Sequence, residues 1–257
     1  MMEKDLAQHL MVVGIIPARY ASTRFEGKVL ADILGKPMIQ HVYERASQAK
    51  LLDRVIVATD DQRIYDVVAG FGGQVALTGK AQTGTDRVAM VAESLETDII
   101  ANIQGDEPLL DPVVVDQLLK PFYDDPTTQV STLMQRIENP ADYGDPNVVK
   151  VVTTQSGLAM YFSRAKLPGN LKGKWHPTAP NFRHVGLYAL RRTQLLAFVN
   201  WPRTPCEEAE GLEQLRFLEN DVPIRVIETD SCGIGVDTPA DLDRVIKHVT
   251  EQNAALK

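Results

Sequence analysis

The chain of 257 residues has room for one large domain, or for one domain with an elaborated lobe, and its 44% apolar and 24% charged residues make an ordinary globular composition. A formal net charge of −7 argues against a nucleic-acid-binding surface or a basic membrane patch, so an anionic ligand would have to be met by a local basic cluster. No apolar run approaches the ~20 residues of a membrane-spanning helix.

The first ten residues, Met-Met-Glu-Lys-Asp-Leu-Ala-Gln-His-Leu, lack the charged-then-apolar layout of a signal peptide. Runs at 12–16, 54–58, 74–77 and 98–103 then read as strands. Between them, 37–49, 61–70 and 85–95 carry apolar residues at three- and four-residue spacing and read as helices. Pro37 suits a first helical turn, and Gly70 suits a helix exit. Strand–helix alternation at this rhythm predicts a parallel sheet with helices on both faces. Ligands of such sheets gather at the carboxyl ends of the strands.

The second half changes character. Stretches 130–136, 148–154, 159–162 and 184–191 read as longer antiparallel strands. A connection over 166–181 holds Gly, Trp and three Pro, and a loop of that length in a compact domain is usually functional. A helix over 207–218, a strand at 224–227 and a closing helix from Pro239 complete the chain. The fold class expected is α/β, a parallel-core sheet flanked by helices with an antiparallel lobe inserted around 130–220, rather than two independent domains. Cys206 and Cys232 stand apart without metal-ligand spacing, which fits reduced thiols in a cytoplasm.

Four stretches carry chemistry. The first strand runs straight into Pro17-Ala-Arg-Tyr-Ala-Ser-Thr-Arg-Phe-Glu-Gly-Lys28, where Arg19, Arg24 and Lys28 lie among Ser22, Thr23 and Gly27. Like charges so close together repel unless an anion sits among them, and a polyphosphate is the simplest candidate. The stretch is neither a Walker loop nor a dinucleotide turn. A loop at a strand end with Gly, hydroxyls and spaced cations can still wrap phosphates, and a solvated basic loop is the plain alternative. Asn102-Ile-Gln-Gly-Asp-Glu-Pro108 ends an apolar strand in Asp106, placed for Mg²⁺, as a turn residue or as the N-cap of the next helix. In Gly235-Val-Asp-Thr-Pro239, Asp237 is either a second metal-bearing carboxylate or the cap of the helix from Pro239. Gln82-Thr-Gly-Thr-Asp-Arg87 opens a helix at Gly84 and Thr85, giving an N-terminal anion or base site with Arg87 beside it, or a plain helix start.

Seven blocks occur in a fixed order: Ile16-Pro-Ala-Arg-Tyr-Ala-Ser-Thr-Arg24 with Gly27-Lys28, Gly84-Thr-Asp-Arg87, Gln104-Gly-Asp-Glu-Pro108, Tyr161-Phe-Ser-Arg164, His184-Val-Gly-Leu-Tyr188, Leu212-Glu-Gln-Leu-Arg216 and Gly235-Val-Asp-Thr-Pro239. Together they resemble the 3-deoxy-manno-octulosonate (Kdo) cytidylyltransferases of lipopolysaccharide synthesis, from about Val12 to Val245. Residues 1–11 then stand as an N-terminal extension, and 12–257 as a single nucleotidyltransferase-type, Rossmann-like domain whose lobe serves sugar binding and dimerisation.

The resemblance implies CTP and an eight-carbon acidic sugar, Kdo or its 8-amino analogue, as substrates, Mg²⁺ as cofactor and a cytoplasmic homodimer. Neither nucleic acid nor membrane is an expected partner. Arg19, Ser22, Arg24 and Lys28 would hold the triphosphate, and Gly84, Thr85, Arg87 and Gln104 would flank the nucleotide. Asp106 and Asp237 would hold the metal. Arg164, His184, Tyr188, Glu210, Glu213 and Gln214 would line the sugar site. Two positions depart from the family pattern: Glu26 where proline usually precedes Gly-Lys, and Thr83 where Ser is common. The implied reaction is attack of the sugar's anomeric hydroxyl on the α-phosphorus of CTP, with pyrophosphate leaving. A cytidylyltransferase for another acidic sugar, of sialic or legionaminic type, and a non-catalytic nucleotide binder are the alternatives.

Overall fold

The computed structural model describes residues 9–21, 25–169, 175–176, 178–231 and 233–255. At its centre is β1 (Val12–Ala18), buried on both faces as a strand between two helical layers must be. A short hairpin, β2 (Asp32–Ile33) with β3 (Lys36–Pro37), turns the chain into α1 (Met38–Ala46). β4 (Arg54–Thr59), α2 (Gln62–Gly70), β5 (Val75–Leu77), α3 (Gly84–Ala92), β6 (Ile99–Asn102), α4 (Pro112–Leu119) and the single turn α5 (Pro121–Asp124) follow. β4 and β6 flank β1 in parallel, and β5 pairs with β4 in parallel. The expected alternation is therefore present.

The remaining elements are β7 (Val130–Arg136), α6 (Pro140–Gly144), β8 (Lys150–Thr153), β9 (Ala159–Ser163), β10 (Phe182–Arg191), α7 (Arg192–Phe198), α8 (Pro205–Glu210), α9 (Leu215–Glu219), β11 (Ile224–Glu228) and α10 (Pro239–Ala255). The strand order is β11-β7-β10-β6-β1-β4-β5, with β8 on β10 and β9 on β8. β10 runs antiparallel to β6, β7 and β8. The antiparallel portion is thus continuous with the parallel core, and β10 joins them. Its pairing with β7 slips between Val185 and Tyr188, so Gly186 and Leu187 form a bulge. The helix expected over 207–218 is two short ones, because Gly211 turns left-handed at φ 63° and ends α8.

Alternation along β1 supplies both hydrophobic layers. Val12, Ile16 and Ala18 pack with Ile39 and Val42 of α1, Ile64 of α2 and Leu118 of α4. Val13 and Ile15 face Val88 and Ala92 of α3 and Phe198 of α7. Truncating a fully buried side chain such as Ile15 or Ile16 would cost about 2–5 kcal/mol. A third, smaller cluster joins Ile33 and Met38 to Val236 and Val245, and it brings the chain before α10 back to the carboxyl end of the sheet.

Candidate active site

Three loops meet beyond the carboxyl ends of β1 and β6. After β1, Gly27 N donates to Tyr20 O at 2.8 Å, and Gly27 is left-handed at φ 68°. A Cβ there would lie 3.0 Å from the Tyr20 ring, so both conformation and space favour glycine. After β6, Gly105 packs so close to β1 that a Cβ would sit 2.9 Å from Pro17 O. The third loop is anchored by Val236 N donating to Asp106 O at 2.9 Å.

These anchors place Lys28, Asp106 and Asp237 together. Lys28 Nζ donates to Asp106 Oδ2 at 2.6 Å, to Asp237 Oδ1 at 3.0 Å and to Val236 O at 3.0 Å. Burial alone would lower the lysine pKa, but the Asp106 and Asp237 carboxylates outweigh it and hold it above its usual value. Asp237 does not cap α10, contrary to one of its two readings. The N-terminus of α10 is closed instead by Thr238 and Asp241: Asp241 Oδ2 accepts from Thr238 N at 2.9 Å and from Asp237 N at 3.1 Å. The Asp237 side chain itself meets Lys28.

Beside this cluster lies a cleft of about 380 Å³. Arg19, Lys28, Asp106 and Gln104 line it, with the amino end of α3 at Gly84 opposite. Arg19 is exposed and makes no ion pair among the described residues. Arg87 also lines the cleft but is only 4% exposed. Its guanidinium is held by Asp60 at 2.9 Å and by Thr78 Oγ1 at 2.6 Å, from the loops after β4 and β5. The start of α3 is fixed by a capping box between Thr83 and Asp86, so the threonine at this departing position performs the hydroxyl's capping task. Ser22 and Arg24 lie outside the described residues. Glu26 is exposed, and its charge is felt by Arg63 rather than by Lys28.

A second cavity of about 330 Å³ adjoins the first, with Gln104 in the wall of both. Thr85, His184, Tyr188, Glu213 and Gln214 line it. Thr85 Oγ1 donates to Glu213 Oε2 at 2.8 Å, and Gln104 Nε2 donates to Gly186 O at 3.0 Å, so the second cavity's wall is bonded across itself and Gln104 carries it to the first. The β10 bulge brings His184 and Tyr188 together with ring centroids 5.4 Å apart and planes tilted by 50°. Burial pushes the His184 imidazole down to about 3 and, with help from the Glu213 charge, the Tyr188 phenol well above its ordinary value. Both side chains are neutral at physiological pH.

Asn102 Oδ1, Tyr188 Oη and Gln214 Nε2 are buried in this cavity's wall without hydrogen-bond partners among the described residues. A buried polar atom left unsatisfied costs about 1–3 kcal/mol, so three in one cavity mark a place for a polar ligand. Arg164 and Glu210 sit apart from it. Arg164 N donates to Glu210 Oε2 at 2.9 Å, and its guanidinium to the carbonyls of Glu210 at 2.8 Å and Pro146 at 3.1 Å. Ser163 Oγ donates to the other Glu210 oxygen at 2.5 Å.

Three residues of the site went unassigned in the sequence: Asn102, Asp60 and Glu107. Asn102 ends a strand whose other residues are apolar, a signal that could have been used. Glu107 lies just past Asp106, and burial, reinforced by the Asp106 charge and partly offset by Arg183, pushes it up to about 7. Asp60 acts only through Arg87, and no local pattern marks it.

The cytidylyltransferase family model matches residues 13–225 of this chain. The 3-deoxy-manno-octulosonate cytidylyltransferase of Geotalea uraniireducens is 51% identical over 250 residues, 93% of this chain and 99% of that one. Its counterpart from Geobacter metallireducens is 51% identical over 251 residues, 94% and 98% of the two chains. Among solved structures, a CMP:2-keto-3-deoxy-manno-octonic acid synthetase complexed with CTP superimposes with a TM-score of 0.90 at 43% identity, over 94% of this chain and 99% of that one.

Proposed function

The chain belongs to the cytidylyltransferase family, among its 3-deoxy-manno-octulosonate members, and from that footing we propose that it transfers the cytidylyl group of CTP to Kdo, releasing pyrophosphate. The observation that carries the reading is the pair of adjoining cavities. One is edged by cations and a helix start, and the other holds three unsatisfied polar atoms. The anomeric hydroxyl of Kdo attacks the α-phosphorus, the P–O bond to the β-phosphate breaks, and the hydroxyl proton is lost to solvent. The protein's task is to position two anions and neutralise developing charge, without a covalent nucleophile.

Arg19, Lys28 and the amino end of α3 bind the triphosphate, with Ser22 and Arg24 assigned there by family resemblance. Arg87, Thr85 and Gln104 border the nucleoside. His184, Tyr188, Glu213 and Gln214 hydrogen-bond the sugar, the first two as neutral groups. Arg164, which lines neither cavity, is assigned to the sugar carboxylate by family resemblance. Mg²⁺ belongs with Asp106 and Asp237. Three oxygens, Asp106 Oδ2, Asp237 Oδ1 and Val236 O, already surround one positive charge, the Lys28 ammonium, and an all-oxygen donor set suits a hard cation. No group of three acidic, His or Cys side chains converges among the described residues, so two carboxylates would share the ion with substrate phosphates. When bound, the ion would neutralise charge on the phosphates during transfer.

The segment 130–220 supplies the sugar side and, in this reading, the contact of a homodimer. Met160 is 62% exposed on β9, a strand paired with β8 alone among the described residues, and a second copy would cover it. No helix of the described residues is long and apolar enough to cross a membrane. A cytoplasmic place and a role in lipopolysaccharide synthesis complete the proposal. Pyrophosphate release from CTP, Mg²⁺ and Kdo, set against 8-amino-Kdo and sialic acid, tests it. Release with sialic acid alone would reassign the sugar, and no release with any of them would refute the activity.

A further inference from the structure

The β10 bulge leaves Gly186 and Leu187 outside the register with β7. Thr132 of β7 reaches into it: its Oγ1 lies 2.8 Å from Leu187 O and 3.3 Å from Val185 O. The same oxygen is 2.9 Å from His184 Nε2. A threonine hydroxyl has one proton, and a carbonyl can only accept. That proton is therefore given to the bulge, and toward His184 the Thr132 oxygen is an acceptor. The opposite assignment would leave Thr132 Oγ1 and Leu187 O facing each other across 2.8 Å with no proton between them.

Resting on the function proposed above, we infer that Thr132 is a positioning residue that fixes His184 as its Nε2–H tautomer, so that Nδ1 accepts a hydrogen bond from a hydroxyl of the acceptor sugar. Thr132 is fully buried and does not line the cavity, so its effect passes through the two lining side chains within its reach, the His184 imidazole and the Tyr188 phenol, and the ring spectrum reads the first by itself. His184 does line it, and no described residue bonds to Nδ1. Phe162, edge-on at 5.1 Å, and Tyr188 at 5.4 Å hold the ring against rotation. Because burial keeps the ring neutral, its two nitrogens differ in role, and the bulge decides which is which. The cavity then gains an acceptor beside donors at Tyr188 and Gln214, the mixture that a polyhydroxy acid requires.

The test joins a spectrum to kinetics. Long-range ¹H–¹⁵N correlation of the histidine rings in the full-length protein should show His184 as the Nε2–H form. Thr132→Val, which removes the hydroxyl at nearly constant shape, should mix the tautomers and raise KM for Kdo roughly 3- to 10-fold, with KM for CTP unchanged. Thr132→Ser should restore both readouts. An Nδ1–H spectrum of the wild type overturns the inference whether or not the valine variant folds. So does a valine variant with the wild-type spectrum and KM. If the wild type does not turn over CTP and Kdo, the proposed function falls and the sugar contact with it, while the spectrum still reads the tautomer.

Discussion

Lys28 Nζ lies 2.6 Å from Asp106 Oδ2, one charged hydrogen bond that ties the loop after β1 to the loop after β6. With Asp237 also on this ammonium, two carboxylates face one cation beside a cleft that must accept a triphosphate. The two carboxylates oppose an entering anion, and Arg19 and, in the proposed reading, Mg²⁺ would offset them. Asp106→Ala should therefore abolish pyrophosphate release while the protein stays folded, a loss on the order of a thousand-fold. Near-normal rates in that variant would remove the metal role. The stability side has a definite sign. Lys28 is raised in the fold, so the pairing stabilises fully below the ordinary lysine value of 10.5 and is lost as pH rises through the raised value. The difference in urea midpoint between wild type and Asp106→Ala should be constant from neutral pH up to that value and close above it.

Asp237 and Asp241 should separate cleanly. Asp241 closes the amino end of α10, and the hydrogen bond from Arg244 leads in holding its pKa down to about 2. Asp241→Ala should cost about 1 kcal/mol of stability at neutral pH, a contribution that fades as pH falls from 3.8 toward 2. Asp237→Asn keeps the shape but not the charge. It should leave the melting temperature unchanged and depress the rate sharply; unchanged activity would mean that Asp237 serves only to hold Lys28.

Arg164→Ala should raise KM for Kdo roughly ten-fold or more and barely alter KM for CTP. Among the described residues its guanidinium bonds only carbonyls, so no carboxylate cancels its charge. Equal changes in both constants would make it a tie between α8 and the turn at Pro146, and nothing more.

Glu207 and Arg216 form the most enclosed ion pair among the described residues, with side chains 6% and 8% exposed and two hydrogen bonds of 2.7 and 2.5 Å. They clamp α8 to α9 across Gly211, and Glu213 and Gln214 lie between the two helices. Arg216→Ala leaves a buried carboxylate and should cost about 3–5 kcal/mol. Burial would raise the Glu207 pKa, but Arg216 prevails and lowers it. The stabilisation is thus present above 4.5 and lost as pH falls through the depressed value. A chemical denaturation series at pH 7 reads the cost, and a loss under 1 kcal/mol would show the clamp to be dispensable.

Much of this was legible in the sequence, for physical reasons. β1, β4 and β6 are apolar runs with turn residues at their ends, and Lys28, Asp106 and Asp237 stand just past such ends, where parallel sheets place ligands. α4 was missed because Val113-Val-Val-Asp-Gln-Leu-Leu119 is almost wholly apolar and rich in β-branched residues, which blurs the helical stripe although Asp111 and Pro112 open it properly. α8 and α9 merged into one expected helix because glycine within an apolar pattern need not break it; here Gly211 does. What the sequence could not yield is pairing across distance. Thr132 is one polar residue among several on a strand, and only the bulge in β10 brings it to His184.

Glu26 is the remaining departure. Arg24 and Lys28 are the two cations Glu26 could pair with while CTP is absent: Asp106 and Asp237 occupy the Lys28 ammonium, and Arg24 lies outside the described residues. Its carboxylate is exposed on the side of Arg63, whose guanidinium covers the Tyr20 ring at 3.3 Å. Tyr20 O in turn accepts from Gly27 N, so the loop is already closed behind Glu26 by a bond that proline at 26 would leave intact. Glu26 N–H donates to no described residue, so the substitution removes no described hydrogen bond. It would restrict the free loop and delete one negative charge near the incoming phosphates. Glu26→Pro should therefore tighten CTP binding by about 0.5–1 kcal/mol, and Glu26→Gln by less, since it relieves charge only. Titration calorimetry at low and high salt separates the two parts: the glutamine gain should vanish in high salt and the proline gain should persist. Weaker binding by both variants would show that the Glu26 charge supports the loop through Arg63, and that the departure from proline is an adaptation to that contact.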